Sequence, residues 1–196
     1  MGSRMDEDVA APAAVDASGE PGSPESLAAA ARERRPGAFD ALVRHLADRL
    51  TGYAIGIVRD RRLAEEAVQE AFIRMYRFLP AYEENNVVAW SFTITHRACS
   101  NLLRRERRHA RLRQVALPSA VPDPAHAVDR RIALQAAMDQ LPEHHRQAFL
   151  LHAQGLSYVE IAGVLGVPIG TVRSRLFRAR DALRAHLRTD SERTEG

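Results

Sequence analysis

LPEHHRQAFLLHAQGLSYVEIAGVLGVPIGTVRSRLFRARDALRAHL, from Leu141 to Leu187, is the stretch on which the fold turns. Pro142 suits a first helical turn, where a missing N–H costs nothing, and Gly155 suits a helix stop. Ser157 followed by Glu160 is the S-x-x-E pattern of a capping box, so a second helix opens there and ends at Gly166. Its expected inward residues are Ile161, Ala162 and Leu165. After Val167 and Pro168 a third helix starts near Ile169. Two short helices around a tight glycine turn, the second rich in arginine, form the helix-turn-helix pattern.

Faces of the third helix sharpen the reading. At about 100° per residue, Val172, Leu176, Ala179 and Leu183 fall in one narrow apolar arc. Ser174, Phe177, Arg178 and Asp181 lie opposite, flanked by Arg173 and Arg175. An aromatic at the solvent pole of an arginine-rich helix is hard to assign to a core. It fits a groove-reading surface, where arginine forks onto guanine and an apolar group meets a thymine methyl. Thr171, Arg173, Ser174, Arg175, Phe177 and Arg178 are the expected contacts. The plainer alternative is a solvated arginine face on an ordinary bundle.

The run G-x-P-x-G-T-V-R-S-R-L-x-R-A-R, Gly166 to Arg180, behind L-P-x-x-x-R-x-A, resembles the −35-reading domain of bacterial sigma-70 factors, and in particular the extracytoplasmic-function (ECF) group. What that implies can be tested along the rest of the chain.

Composition points to helices. Of 196 residues, 45% are apolar and only 6% aromatic. All 28 basic residues are arginine, which suits phosphate and guanine contacts. The net charge is +3, and the basic residues are unevenly placed. A single cysteine, Cys99, excludes an internal disulfide and a cysteine-rich metal site, and fits a reducing cytoplasm. No apolar run approaches the roughly 18 residues of a membrane span, and the acidic N-terminus lacks a signal-peptide layout.

Residues 1–26 are rich in Ala, Pro, Gly, Ser and acids without helical or strand period, and read as a disordered acidic tail. Helical periodicity begins near Leu27. Phe39, Leu42, Val43, Leu46 and Leu50 define an amphipathic helix that Tyr53, Ile55, Ile57 and Val58 prolong. Asp60 is a candidate N-cap for a helix to about Leu79. Ala64, Ala67, Val68, Ala71, Met75 and Leu79 share its apolar face. Glu65, Glu66, Gln69, Ile73, Tyr76 and Arg77 lie opposite, with Glu70 beside them. Ile73 amid polar groups has the layout of an apolar anchor with a polar rim. D-R-R-L-A-E-E-A-V-Q-E-A-F-I-R-M-Y-R, Asp60 to Arg77, resembles the sigma-family helix that docks on the clamp coiled coil of the RNA polymerase β′ subunit. By that resemblance Glu66, Gln69, Glu70 and Ile73 contact core enzyme.

Residues 80–88 read as a loop. Asn85 and Asn86 offer amide donors and acceptors suited to a flipped base of the −10 element, as the resemblance implies, or to ordinary turn chemistry. The next helix is expected from about Ala89 to Arg107. Trp90, Ile94, Ala98 and Leu102, widened by Phe92, Cys99 and Leu103, form its buried arc. Thr93, His96, Arg97, Ser100, Asn101, Arg104 and Arg107 form its exposed arc. From Arg97 to Arg113 seven arginines face one acid, Glu106, a run that attracts phosphate. A-W-S-F-T-I-T-H-R-A followed by L-L-R-R-E-R-R resembles the family's −10-melting element. By that resemblance Asn85, Asn86, Thr93, His96, Arg97, Ser100, Asn101 and Arg104 face the −10 strand. Ser91 departs from the pattern where an apolar residue is expected, Thr95-His96-Arg97 stands for the usual A-R-N, and Ser100-Asn101 lacks a frequent acid. Cys99 reads as a small core residue.

Three prolines at 118, 122 and 124 make residues 113–128 an extended linker. A helix at 129–140 leads into the opening motif, and 189–196 form a polar tail.

The expected architecture is therefore all-α: two small helical domains, 27–112 and 129–188, joined by a flexible linker, the second containing the helix-turn-helix. The resemblance implies an ECF sigma factor whose partners are core RNA polymerase (β′ clamp helices and β flap), promoter DNA and an anti-sigma factor. It implies a cytoplasmic protein with no membrane insertion of its own. A stand-alone helix-turn-helix regulator explains residues 141–187 equally well, but not the face around Ile73 followed by W-S-F-T-I and the arginine cluster. No glycine-rich phosphate loop, converging catalytic acids or metal-ligand spacing occurs, so no catalytic, metal or cofactor site is expected.

Overall fold

A computed structural model describes residues 22–83, 86–113 and 136–194; beyond His109 and His186 in the last turns of two helices, only the backbone is described. The expected tail before residue 22, the linker from 114, residues 129–135 and Asn85 lie outside the described residues. Every regular element among the described residues is helical.

Helix α1 spans Pro24–Arg32, earlier than the composition of the tail suggests. Ser23 caps it by accepting from the Ser26 N–H at 3.1 Å, Pro24 stands where its missing N–H is harmless, and Leu27 and Ala28 are buried. Helix α2 is Ala38–Val58, ended by Arg59 in the left-handed region at φ 57°. Asp60 then caps α3, Arg61–Phe78, accepting from the Leu63 N–H at 2.8 Å. The face expected on α3 from Ala64 to Leu79 is buried throughout. Small alanines there let α3 approach α2 and α4 closely.

A 3-10 turn at Leu79–Ala81 leads into α4, Val87–Arg113. It begins two residues before the expected start because Asn86 caps it, Oδ1 accepting from the Ala89 N–H at 2.9 Å. It runs beyond Arg107 because no glycine or proline interrupts residues 87–113. The departure at Ser91 is accommodated: Ser91 and Thr95 are fully buried, and their hydroxyls donate to the carbonyls of Val88 (2.7 Å) and Ser91 (2.9 Å).

The chain resumes in a short helix at 136–140 (α5), then α6 (Glu143–Ala153), α7 (Tyr158–Leu165) and α8 (Ile169–Thr194). Both hydrogen bonds of the Ser157–Glu160 capping box are present. Gly155 (φ 86°) and Gly166 (φ 64°) occupy the left-handed conformation that closes α6 and α7. Within α7 the buried pair is Ile161 and Val164, with Ala162 and Leu165 half-buried, a small rotation from the expected face. On α8 the expected stripe of Val172, Leu176, Ala179 and Leu183 is buried. Its backbone stays helical to Thr194 rather than giving way at 189, since no glycine or proline lies between Leu187 and Thr194.

The two halves share one core. Leu42, Leu46, Leu50, Phe92 and Cys99 belong to the same cluster as Leu151, Ile161 and Leu176, while Ala137, Met138, Leu141, Ala179 and Leu183 form a satellite. Helix α6 lies against α2 and α7 against α4.

Candidate nucleic-acid and polymerase interfaces

On α8, local hydrogen bonding and one apolar stripe orient everything else. With Val172, Leu176 and Ala179 buried, Arg173, Ser174, Phe177 and Arg178 are forced outward, and Thr171 and Arg175 are half-buried at the edges. Ser174 donates to the Thr171 carbonyl at 2.9 Å, and Phe177 is 71% exposed. Burial first, then the neighbouring His144, Arg178 and Arg175, hold His145 below its ordinary pKa, and the arginines make positive charge dense here. The face extends beyond the residues expected from sequence. Tyr158, Arg173, Phe177, Arg180, Asp181 and Arg184 line an open cleft of about 420 Å³. Positions 173, 177, 180 and 184 follow helical spacing, so the signal was present in the sequence. Arg180 is not free, being within 2.7 Å of His152 Nε2, and His152 meets the edge of Tyr158.

On α4 the expected exposed arc divides. Arg97, Asn101 and Arg104 are exposed, and Arg104 donates to the Asn101 side-chain oxygen at 2.5 Å. Thr93, His96 and Ser100 are half-buried, and Thr93 donates back to the Ala89 carbonyl at 3.0 Å. His96 is turned to α2, where its Nδ1 lies 2.8 Å from the Tyr53 hydroxyl. A helical wheel places it outside because the wheel does not know what α2 covers. Asn86 caps its own helix and also donates to Glu160 of α7, so turn chemistry describes it here.

On α3, Ile73 is 61% exposed, and Tyr76 and Phe78 stand out beside it. Phe39 of α2 meets the edge of Tyr76 at 5.0 Å, fixing that ring and widening the apolar patch beyond what the sequence suggested. The rim is charge-balanced. Glu70 pairs with Arg74 at 2.6 Å, Glu66 with Arg105 at 2.9 Å and Glu65 with Arg61 at 3.0 Å, while Gln69 is exposed. Pairs this exposed contribute at most about 1 kcal/mol each, so they shape the surface more than they stabilise the fold. Among the described residues no group of His, Cys, Asp and Glu is arranged to hold a metal ion.

These features define a class: an all-α nucleic-acid-binding protein with a helix-turn-helix and a separate exposed apolar face. Comparison with known proteins gives the family. Residues 42–109 match Sigma-70 region 2 and residues 131–183 match Sigma-70, region 4. The chain is 39% identical over 168 residues to the ECF RNA polymerase sigma factor SigE of Mycolicibacterium smegmatis, covering 80% of this chain and 64% of that one. It is 33% identical over 162 residues to the RNA polymerase sigma-H factor of Pseudomonas aeruginosa, covering 74% and 84%. Its fold is similar to that of the sigma factor RpoE from Bartonella quintana, solved with the anti-sigma factor NepR (TM-score 0.69, 28% identity, 78% of this chain and 98% of that one). The chain belongs to the sigma-70 family, within its ECF group. Sigma factors are DNA-binding transcription-initiation factors that act with RNA polymerase.

Among the described residues no helix is long and apolar enough to cross a membrane.

Proposed function

We propose that this sigma factor works through three separate faces. Residues 27–112 form the unit that docks on core polymerase and opens the −10 element. Residues 129–188 form the unit that holds the −35 duplex. Glu66, Gln69, Glu70 and Ile73 on α3 meet the β′ clamp helices, with Tyr76 and Phe78 enlarging the contact. Arg97, Asn101 and Arg104 on α4 approach the melted −10 strand together with Asn85, joined by Thr93, His96, Ser100 and Asn86 once these four are freed. Thr171, Arg173, Ser174, Arg175, Phe177 and Arg178 enter the major groove at −35, arginines supplying donors to guanine and phosphate and Phe177 an apolar contact. The protein binds and positions; it catalyses no reaction and needs no cofactor. It acts in the cytoplasm. Two modest DNA contacts on one tether give high effective concentration, so neither need be tight alone. An anti-sigma factor is the expected regulator, supported by the complex in which the similar RpoE was solved.

The observation that carries this reading is Ile73, 61% exposed beside Tyr76 and Phe78 on the charge-balanced outer face of a helix whose opposite face is buried. The test is binding to bacterial core RNA polymerase. Wild type should bind, and Ile73→Glu should lose at least roughly tenfold in affinity, as expected for an anchor at the centre of an interface. Unchanged binding by Ile73→Glu would remove α3 as the docking face.

A further inference from the structure

Arg62, Glu66, Gln69 and Ile73 follow one another on α3 at helical spacing, so they form a single stripe about 16 Å long on its outer face. Arg62 is exposed at the head of that stripe and lies outside the contacts expected from sequence. The carboxylates of this face are held in two ways. Glu65 and Glu70 each meet an arginine of α3 itself, Arg61 at 3.0 Å and Arg74 at 2.6 Å. Glu66 is held from two helices: Oε2 lies 3.8 Å from Nη1 of Arg62, and Oε1 accepts from Arg105 of α4 at 2.9 Å. Glu106 stands farther from Arg105, at 4.0 Å.

Charge and donor supply decide what this node can receive. Both oxygens of Glu66 are engaged, whereas each guanidinium has N–H donors to spare. The side chains of Arg62 and Arg105 are 74% and 51% exposed, against 39% for Glu66. A charged group approaching from solvent therefore meets two guanidinium groups around a carboxylate already paired. An anion is attracted there and a cation is repelled. Pairs this exposed are weak, so both arginines can turn to a further acceptor at little cost.

Resting on the reading of α3 as the polymerase-docking helix, we propose that Arg62 and Arg105 seat a carboxylate of the core enzyme. Glu66 is then a positioning residue that holds the two guanidinium groups in place. The docking surface extends from α3 onto α4, and the partner that matches it carries an acid at one end of the stripe and an apolar seat for Ile73 at the other. A protein carboxylate fits better than a DNA phosphate. Arg62 shares its stripe with Ile73, and Arg105 is turned toward α3 by its ion pair, while Arg97, Asn101 and Arg104 are the exposed members of the arc on α4 expected at the −10 strand.

The test measures binding of the full chain to bacterial core RNA polymerase across a range of salt. Arg62→Gln and Arg105→Gln should keep their helical content, weaken binding about fivefold each, and make it less sensitive to salt. Glu66→Gln keeps an amide oxygen that one arginine can still reach, so it should cost no more than about twofold. Arg62→Glu should cost more than about tenfold, and an acid-to-lysine change in the β′ clamp helices should restore binding. A larger loss for Glu66→Gln than for the arginine variants overturns the proposal, because the carboxylate then faces a cation. Failure of every such lysine change to restore Arg62→Glu also overturns it. So does full core affinity in both arginine variants; if the assembled holoenzyme of Arg105→Gln then holds a labelled mixed-sequence DNA single strand more weakly, Arg105 serves DNA instead. Ile73→Glu separates the seat from the reading beneath it. If that variant weakens core binding and the arginine variants do not, only the carboxylate seat falls. If it too binds fully, α3 is not the docking helix and the seat falls with it.

Discussion

The hydroxyl of Tyr53 on α2 lies 2.8 Å from Nδ1 of His96 on α4, inside the seam that joins these two helices. Burial lowers the His96 pKa from its ordinary value; nearby Glu143 raises it somewhat and Arg97 lowers it further. Burial, assisted by Cys99, raises that of Tyr53, so both groups are neutral near pH 7. The sign of the linkage follows. Below the ordinary histidine value the unfolded chain takes up the His96 proton more readily than the folded one, so this contribution to stability is intact above about pH 6.5 and declines as pH falls toward the lowered folded value. Thermal unfolding followed from about pH 7.5 to about 5.5 should show Tm decreasing, and His96→Gln should reduce that slope. An equal slope in the variant would assign the acid sensitivity to other groups.

Cys99 should be chemically silent in the folded protein. It is fully buried on α4, and burial pushes its thiol pKa up to about 12. At about pH 8 the thiolate is then on the order of one molecule in ten thousand, before steric protection is counted. Reaction with iodoacetamide should be slower than in denaturant by at least about a thousandfold. Rapid labelling of the native chain would mean that α4 opens locally.

Much of this was legible because it is local. The Ser157–Glu160 box, Gly155 and Gly166 as helix stops, Asp60 as a cap and the stripe from Val172 to Leu183 each depend on residues within a turn or two of one another. What the sequence hid is long-range. Gly56 looks like a defect in a helix until Leu150, nearly a hundred positions away, is seen against it. His96 belongs to the polar side of a wheel but is covered from α2, and Ser91 looks like a misplaced polar residue until its hydroxyl is traced to Val88. Pro24 looked like part of a tail because Ala, Pro and Ser dominate its surroundings, although Ser23 and Pro24 carry a local start signal.

The capping box should be measurable alone. Ser157→Ala removes the hydrogen bond to the Glu160 N–H (3.3 Å) but leaves the Glu160 carboxylate on the Ser157 N–H (2.5 Å). A loss of about 1 kcal/mol in denaturant unfolding is expected. Glu160→Ala should cost more, since it removes that second bond and the tie to Asn86. The side-chain and backbone hydrogen bonds from Ser157 hold the Glu160 carboxyl below its usual pKa. Its contribution is therefore present above the ordinary carboxylate value and is lost as pH falls through the lowered one. The gap between wild type and Glu160→Ala should narrow under strongly acid conditions.

Adjacent positions on α8 should separate folding from recognition. Leu176 is 1% exposed and Phe177 is 71% exposed, although they are neighbours in sequence. Leu176→Ala leaves a cavity between α8 and the core and should cost about 2–5 kcal/mol of stability. Phe177→Ala removes a solvated ring and should change stability by less than about 0.5 kcal/mol. Binding to a duplex selected for affinity to the full chain should show the opposite order once the folded fraction is accounted for. Phe177→Ala should weaken it by about 1 kcal/mol or more, mainly at a thymine-bearing position. Arg178→Ala should reveal its role through salt: a smaller salt slope with uniform weakening across sequences marks a phosphate contact, and relaxed choice at one base pair marks groove reading. Full affinity in both variants would take α8 away from DNA and leave its cleft of arginines needing another ligand.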